Sequence, residues 1–147
     1  MFAHIQIGDL VKQSIAVLES RRTALYRQLE ALDDFRRGTI SVNYRKGSKS
    51  NCACAREDHP GHGPQYLWNA SIGGKTQSEN LTLGPELEKV ENEVQRYRIF
   101  AGLCQQIAAF NNELCHLRPV PAGDDENELE LLKKKLRKHF AAQRTKK

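Results

Sequence analysis

The stretch Arg45-Lys46-Gly47-Ser48-Lys49-Ser50-Asn51-Cys52-Ala53-Cys54-Ala55-Arg56-Glu57-Asp58-His59-Pro60-Gly61-His62-Gly63-Pro64-Gln65-Tyr66-Leu67-Trp68 breaks the pattern of the chain around it. Helical periodicity lies on both sides, and only here do cysteine, histidine, glycine, proline and basic residues crowd together. The stretch reads as part of a folded insert between two helices, and as the working end of the protein.

Upstream of it, Val11, Ile15, Leu18, Leu25, Leu29 and Leu32 recur at alternating steps of four and three, with Arg22 at the one polar seam position. That spacing predicts a helix over residues 9–37 with a heptad seam. Asp9 is the expected N-cap, Arg36 and Arg37 suit the negative end of the helix dipole, and Gly38 is placed to take the left-handed stop. Arg22 is expected to reach outward past the seam.

Downstream, Pro85 is a favoured first helical residue. Leu87, Val90, Val94 and Tyr97 hold one phase of an apolar stripe, and Phe100, Leu103, Ile107, Phe110, Leu114 and Leu117 continue it with the seam shifted. In a coiled coil such a shift is a stammer. Arg118-Pro119 ends the run, because the residue before proline is pushed out of the helical region. Cys104 and Cys115, inside this helix, read as small core residues.

The insert itself is β-patterned. Ile40, Val42 and Tyr44 alternate with polar residues, as do Tyr66, Trp68, Ala70 and Ile72. Gly73-Gly74 suits a two-residue hairpin turn, which pairs Ile72 with Lys75 and Tyr66 with Leu81. That register gathers Tyr66, Trp68, Ile72, Leu81 and Leu83 on one face and Asn69, Ser71, Thr76 and Ser78 on the other.

The expected fold is α+β and mostly helical. Two long antiparallel helices form a helical hairpin, a small three-stranded antiparallel β insert at about residues 38–84 sits at its tip, and a C-terminal amphipathic helix follows. Residues 1–118 form the hairpin with its insert, and residues 119–147 a linker and basic tail in which Leu129, Leu132, Leu136 and Phe140 make one stripe.

The 147 residues are 39% hydrophobic and 28% charged. Their mean hydropathy of −0.65 favours a surface-rich shape over a large core. The net charge of +5 points to an anionic partner, nucleic acid first among them. Phe2-Ala3 and Ile5 to Ile7 are too short an apolar run for a signal peptide, and no segment is apolar enough to cross a bilayer. A cytoplasmic protein with no membrane partner is expected, its four cysteines being thiols or metal ligands.

Cys52, Cys54, His59 and His62 are donors that zinc accepts in a tetrahedral site. Residues one apart in an extended chain lie nearly 7 Å apart, so a turn at Cys52 is required to bring the two sulfurs together. Without such a turn the same residues are thiols and surface histidines in a Gly/Pro loop. A second reading makes the segment an anion site. Arg45, Lys46, Lys49 and Arg56 surround the cluster, Lys75 marks the hairpin turn, and Tyr66 offers a stacking surface although its main expected task is the core of the sheet. Gly74-Lys75-Thr76 lacks the earlier glycine of a P-loop and is set aside.

Arg36-Arg37-Gly38-Thr39-Ile40, Arg45-Lys46, Asn51-Cys52-x-Cys54-Ala55, His62-Gly63-Pro64, Tyr66, Gly74-Lys75-Thr76 and Tyr97-Arg98-x-Phe100 together resemble an uncharacterised family of small prokaryotic proteins. The resemblance covers roughly residues 36–117. It implies a gene setting near transposases and mobile elements, and no settled activity. It also implies a further cysteine five residues before Cys52, where this chain has Gly47, and it leaves His59 as a substitute ligand.

These observations favour a small nucleic-acid-binding accessory protein that contacts DNA in preference to RNA through the insert. The competing function is a coiled-coil adaptor in a homodimer or larger complex, supported by the wide apolar stripe from Phe100 to Phe110. The chain has no carboxylate pair, nucleophile elbow or triad, so it does not read as an enzyme.

Overall fold

The computed structural model describes residues 7–123 and 125–144. Among them it places α1 (Ile7–Glu30), β1 (Thr39–Arg45), a short 3-10 turn (Ala53–Ala55), β2 (His62–Ile72), β3 (Lys75–Leu81), α2 (Pro85–Leu117) and α3 (Glu126–Arg144). The chain divides into two units, Met1–Cys115 and His116–Lys147.

The expected hairpin of two long helices with an insert at its tip is not what forms. The three-stranded antiparallel sheet, ordered β1-β2-β3, lies in the middle of the chain, between α1 and two further helices. It packs on the side of α2: Trp68, Ala70 and Leu81 are buried against Val90 and Val94, with Ile40, Tyr66 and Leu87 around them. Leu25 of α1 packs further along α2, with Leu103 and Ile107 and with Leu29, Leu32 and Phe110 at the edge. So α2 carries two separate clusters, one for the sheet and one for α1. At roughly 1.5 Å per residue, α2 is about 50 Å long and α1 about 36 Å, and the sheet takes the N-terminal part of α2, at Val90 and Val94, ahead of the α1 cluster at Leu103 and Ile107.

The seam shift of α2 marks this change of partner. Leu87, Val90 and Val94 face the sheet, Leu103, Ile107 and Phe110 face α1, and at the changeover Phe35 stacks on Phe100 at 4.6 Å and lies 6.0 Å from Tyr97. Phe35 belongs to the link between α1 and β1.

The first helix stops at Glu30, and Asp9 lies inside it. Two effects end it well before Gly38. Asp33 and Asp34 would place carboxylates at the negative end of the dipole. The backbone beyond them is also engaged elsewhere: the Arg36 N–H donates to the Glu93 carbonyl at 3.2 Å, and the Trp68 indole N–H donates to the Arg37 carbonyl at 2.9 Å. Arg36 fastens this link through its side chain as well. Its Nε donates to Glu93 Oε2 at 2.5 Å, its guanidinium lies 5.2 Å from the Trp68 ring centroid, and Lys89 meets the other Glu93 oxygen. These contacts hold the Glu93 carboxyl below its ordinary value of 4.5, the Lys89 hydrogen bond contributing most and Arg36 after it, against the effect of burial. Gly38 does have positive φ, +127°, and a Cβ there would lie 2.5 Å from the Asn69 carbonyl and 2.6 Å from Trp68 Nε1. Its role is close approach to β2, not the end of a helix.

Within the sheet the pairing of Ile72 with Lys75 and Tyr66 with Leu81 is the one the Gly-Gly turn dictates. The face away from α2 carries a polar relay in which the Asn69 amide donates to Ser41 Oγ at 2.9 Å and Ser78 Oγ donates to Asn69 Oδ1 at 2.7 Å. Arg22 does not reach outward: its Nη1 donates to Asn111 Oδ1 at 2.6 Å, and the Asn111 amide donates to the Ile107 carbonyl. Cys104 is half-buried, whereas Cys115 is exposed and so is not a core residue.

In the second unit α3 begins with Glu126 and Glu128 and ends with Arg144, and its stripe of Leu129, Leu132, Leu136 and Phe140 is exposed. The last residues of the basic tail, 145–147, lie outside the described residues, as does the apolar run before Ile7. No helix among the described residues is long and apolar enough to cross a membrane.

Candidate metal centre in a basic loop

The 16 residues between β1 and β2 carry the chemistry. A shift in register between Asn43 and Arg45 pairs Arg45 with His62, so His62 is fixed at the start of a sheet strand. The adjoining Gly61 has φ +104° and approaches so closely that a Cβ would lie 2.8 Å from the Arg45 backbone. Only glycine allows the loop to close onto β1 in this way.

The turn that the Cys-x-Cys spacing requires is present. Cys52 stands at the N-terminal edge of the 3-10 turn, its N–H donating to the Lys49 carbonyl at 3.2 Å and its own carbonyl accepting from the Ala55 N–H at 3.0 Å. The ligand atoms of Cys52, Cys54 and His62 thereby come within 4.8 Å of one another. Cys54 is fully buried, with its sulfur accepting the Gly47 N–H at 3.2 Å, and Cys52 Sγ lies 3.1 Å from His62 Nε2. Hydrogen bonding by the Cys54 N–H, then by the Cys54 side chain and His62, lowers the Cys52 thiol from its ordinary 9.0 to about 7. Two sulfurs and an imidazole nitrogen this close together are a donor set for a divalent ion of the zinc type, whose tetrahedral ligand atoms lie roughly 3.5–4 Å apart. These residues are close enough to bind a metal.

The fourth expected ligand, His59, is not part of this group. Its Nδ1 accepts the Gly61 N–H at 2.9 Å, and its ring lies 6.4 Å from that of His62. Pro60 and Gly61 between the two histidines turn His59 inward to its own backbone. The closed site of four donors is replaced by three donors. Gly47, the position where the family resemblance implies a further cysteine, faces this group: a Cβ there would point to within 3.7 Å of Cys54 Sγ and 3.9 Å of His62 Nε2.

The expected anion-binding residues are split by the fold. Arg45, Lys46, Lys49 and Arg56 are exposed on the loop that holds the donors, with Lys46 Nζ donating to the Arg56 carbonyl at 3.0 Å. Lys75 is paired with Ile72 at the other end of β2, roughly 30 Å away along an 11-residue strand. Tyr66 packs against the cluster of the sheet and α2. Tyr44, half exposed and next to Arg45, is the aromatic ring nearest in sequence to the loop.

Fold and site together define an α+β protein in which a three-stranded sheet on a long helix carries a cysteine and histidine loop. The chain belongs to the family described as Domain of unknown function (DUF6788), whose model matches residues 15–92. The match takes in most of α1, the whole sheet with its loop, and the start of α2. No curated protein and no solved structure matches the chain significantly.

Proposed function

We propose that this protein is a small nucleic-acid-binding accessory protein, that the loop between Arg45 and His62 is its contact surface, and that zinc bound by Cys52, Cys54 and His62 sets the shape of that loop. The observation that carries the reading is the coincidence of four exposed cations, Arg45, Lys46, Lys49 and Arg56, with three metal-type donors on one short loop and the two strand residues that bound it, Arg45 and His62. A segment of this length has almost no apolar core, so a metal supplies the rigidity it lacks. Rigid cations are then presented to phosphates without a further ordering cost. DNA of a mobile genetic element is the proposed partner. The protein acts by binding, not as an enzyme.

The adaptor reading loses part of its support. Phe100 lies under Phe35 and Phe110 joins the cluster with Leu25, so the wide stripe that suggested a partner or second copy is partly covered from within the chain.

A salt titration of binding to single-stranded DNA, double-stranded DNA and RNA tests the proposal. Binding should weaken steeply with salt, and the triple change Arg45→Glu, Lys46→Glu, Lys49→Glu should weaken it on all sequences and flatten the salt dependence. Absence of binding at low salt contradicts it.

A further inference from the structure

Three glycines, Gly47, Gly61 and Gly63, fall in and beside the loop, and two of them are dictated by the backbone. Gly61 and Gly63 have positive φ and approach other backbone atoms within 3 Å at the Cβ position, and Gly38 does the same at the other end of the sheet. Gly47 differs. Its φ is not in the positive range, and the nearest atoms to a Cβ, Cys54 Sγ at 3.7 Å and His62 Nε2 at 3.9 Å, are at ordinary van der Waals distance. The backbone at 47 would accept any small side chain, and that side chain would face the donor group.

We propose that the metal centre receives three ligands from the protein and keeps its fourth position, on the Gly47 side, for a ligand from solution. This rests on the metal reading of Cys52, Cys54 and His62, and is independent of whether the loop binds nucleic acid. Three observations support it. The three donors lie within 4.8 Å of one another, so they form one side of a tetrahedral shell. His59 has its Nδ1 committed to the Gly61 N–H. The side facing Gly47 has no side chain on that residue to close it. A water molecule takes such a position at rest, and ligand exchange replaces it by another donor with no change in the oxidation state of the metal. The cations Arg45, Lys46 and Lys49, adjoining Gly47 in the chain, favour a small anion as that donor. A three-ligand site with an exchangeable position binds ligands, whereas a closed site is structural only.

The test uses the full chain loaded with cobalt(II) under anaerobic conditions, with azide and inorganic phosphate as probes, and Gly47→Cys as the closing variant. The wild-type visible bands should shift with either anion. The G47C protein should gain the charge-transfer absorption of a third thiolate and lose the response to both anions; circular dichroism checks that it folds like the wild type. A wild-type spectrum indifferent to both anions, or a resting spectrum altered by His59→Ala, overturns the proposal while leaving the metal reading intact. Failure of the chain to take up cobalt overturns both.

Discussion

Arg36 is the residue on which the junction between α1 and the sheet depends, because its backbone and side chain both meet Glu93 while its guanidinium lies over Trp68. Removing the guanidinium leaves a buried carboxylate with Lys89 as its remaining charge partner. Arg36→Ala should therefore lower stability by about 2 kcal/mol in urea unfolding, less than the loss of a fully buried pair because Arg36 is itself partly exposed. The acid limb of stability carries the same signature. Glu93 is held below its ordinary value of 4.5, so its stabilising contribution is full above that pH and is lost as pH falls through the lowered folded value. The stability difference between wild type and Glu93→Gln should hold above about pH 5 and shrink as pH falls below 4.5 through the lowered folded value; a constant difference would show that the carboxylate charge contributes nothing. Gly38→Ala should be costlier than a surface change, by about 2 kcal/mol or more, because a Cβ at φ +127° would meet the Asn69 carbonyl at 2.5 Å. An unchanged urea midpoint would contradict the close approach. Neither role was legible in the sequence, where Arg36, Arg37 and Gly38 have the composition of a helix end; what separates the two cases is a contact with Glu93, 57 residues away.

Elements were read more completely than their partners. The stripe positions of α2 from Leu87 through Val90, Val94, Tyr97, Phe100, Leu103, Ile107, Phe110 and Leu114 to Leu117 turn out buried or half-buried, although Ile99 between them is exposed, and the register of β2 on β3 follows from Gly73-Gly74. What periodicity does not specify is the surface a stripe meets. An α-helix packed on a sheet and one packed on a helix show the same spacing of Leu and Val, so a change of partner near Tyr97 reads as a stammer in a coiled coil. At the scale of the loop the same limit separated Lys75 from Arg45. Both belong to one insert in sequence, but an 11-residue strand stands between them. Lys75→Glu should accordingly leave nucleic-acid affinity within about two-fold of wild type, while Arg45→Glu with Lys46→Glu reduces it by ten-fold or more in anisotropy titrations at about 50 mM salt. Equal losses from both ends would place the contact surface elsewhere than the loop.

For the molecule as a whole, the sheet on α2 is a platform with its own apolar core, and the loop that projects from β1 and β2 has little core of its own beyond Cys54. Metal removal should then act unequally. Chelation should leave the urea midpoint of the sheet and helices nearly unchanged and raise amide exchange across residues 46–61, with His62 and β2 remaining protected. The donor types were legible from the sequence, and the set was not: four residues of the right chemistry reduce to three because the chain at Pro60-Gly61 turns His59 onto its own backbone. The measurement that bears most directly on the account is the zinc content of the chain purified without a histidine tag, compared with the same protein carrying His62→Ala or His59→Ala. The account predicts stoichiometric zinc in the wild type and in H59A, with loss of the metal in H62A. Sub-stoichiometric zinc in the wild type, or equal retention by H62A, would contradict it.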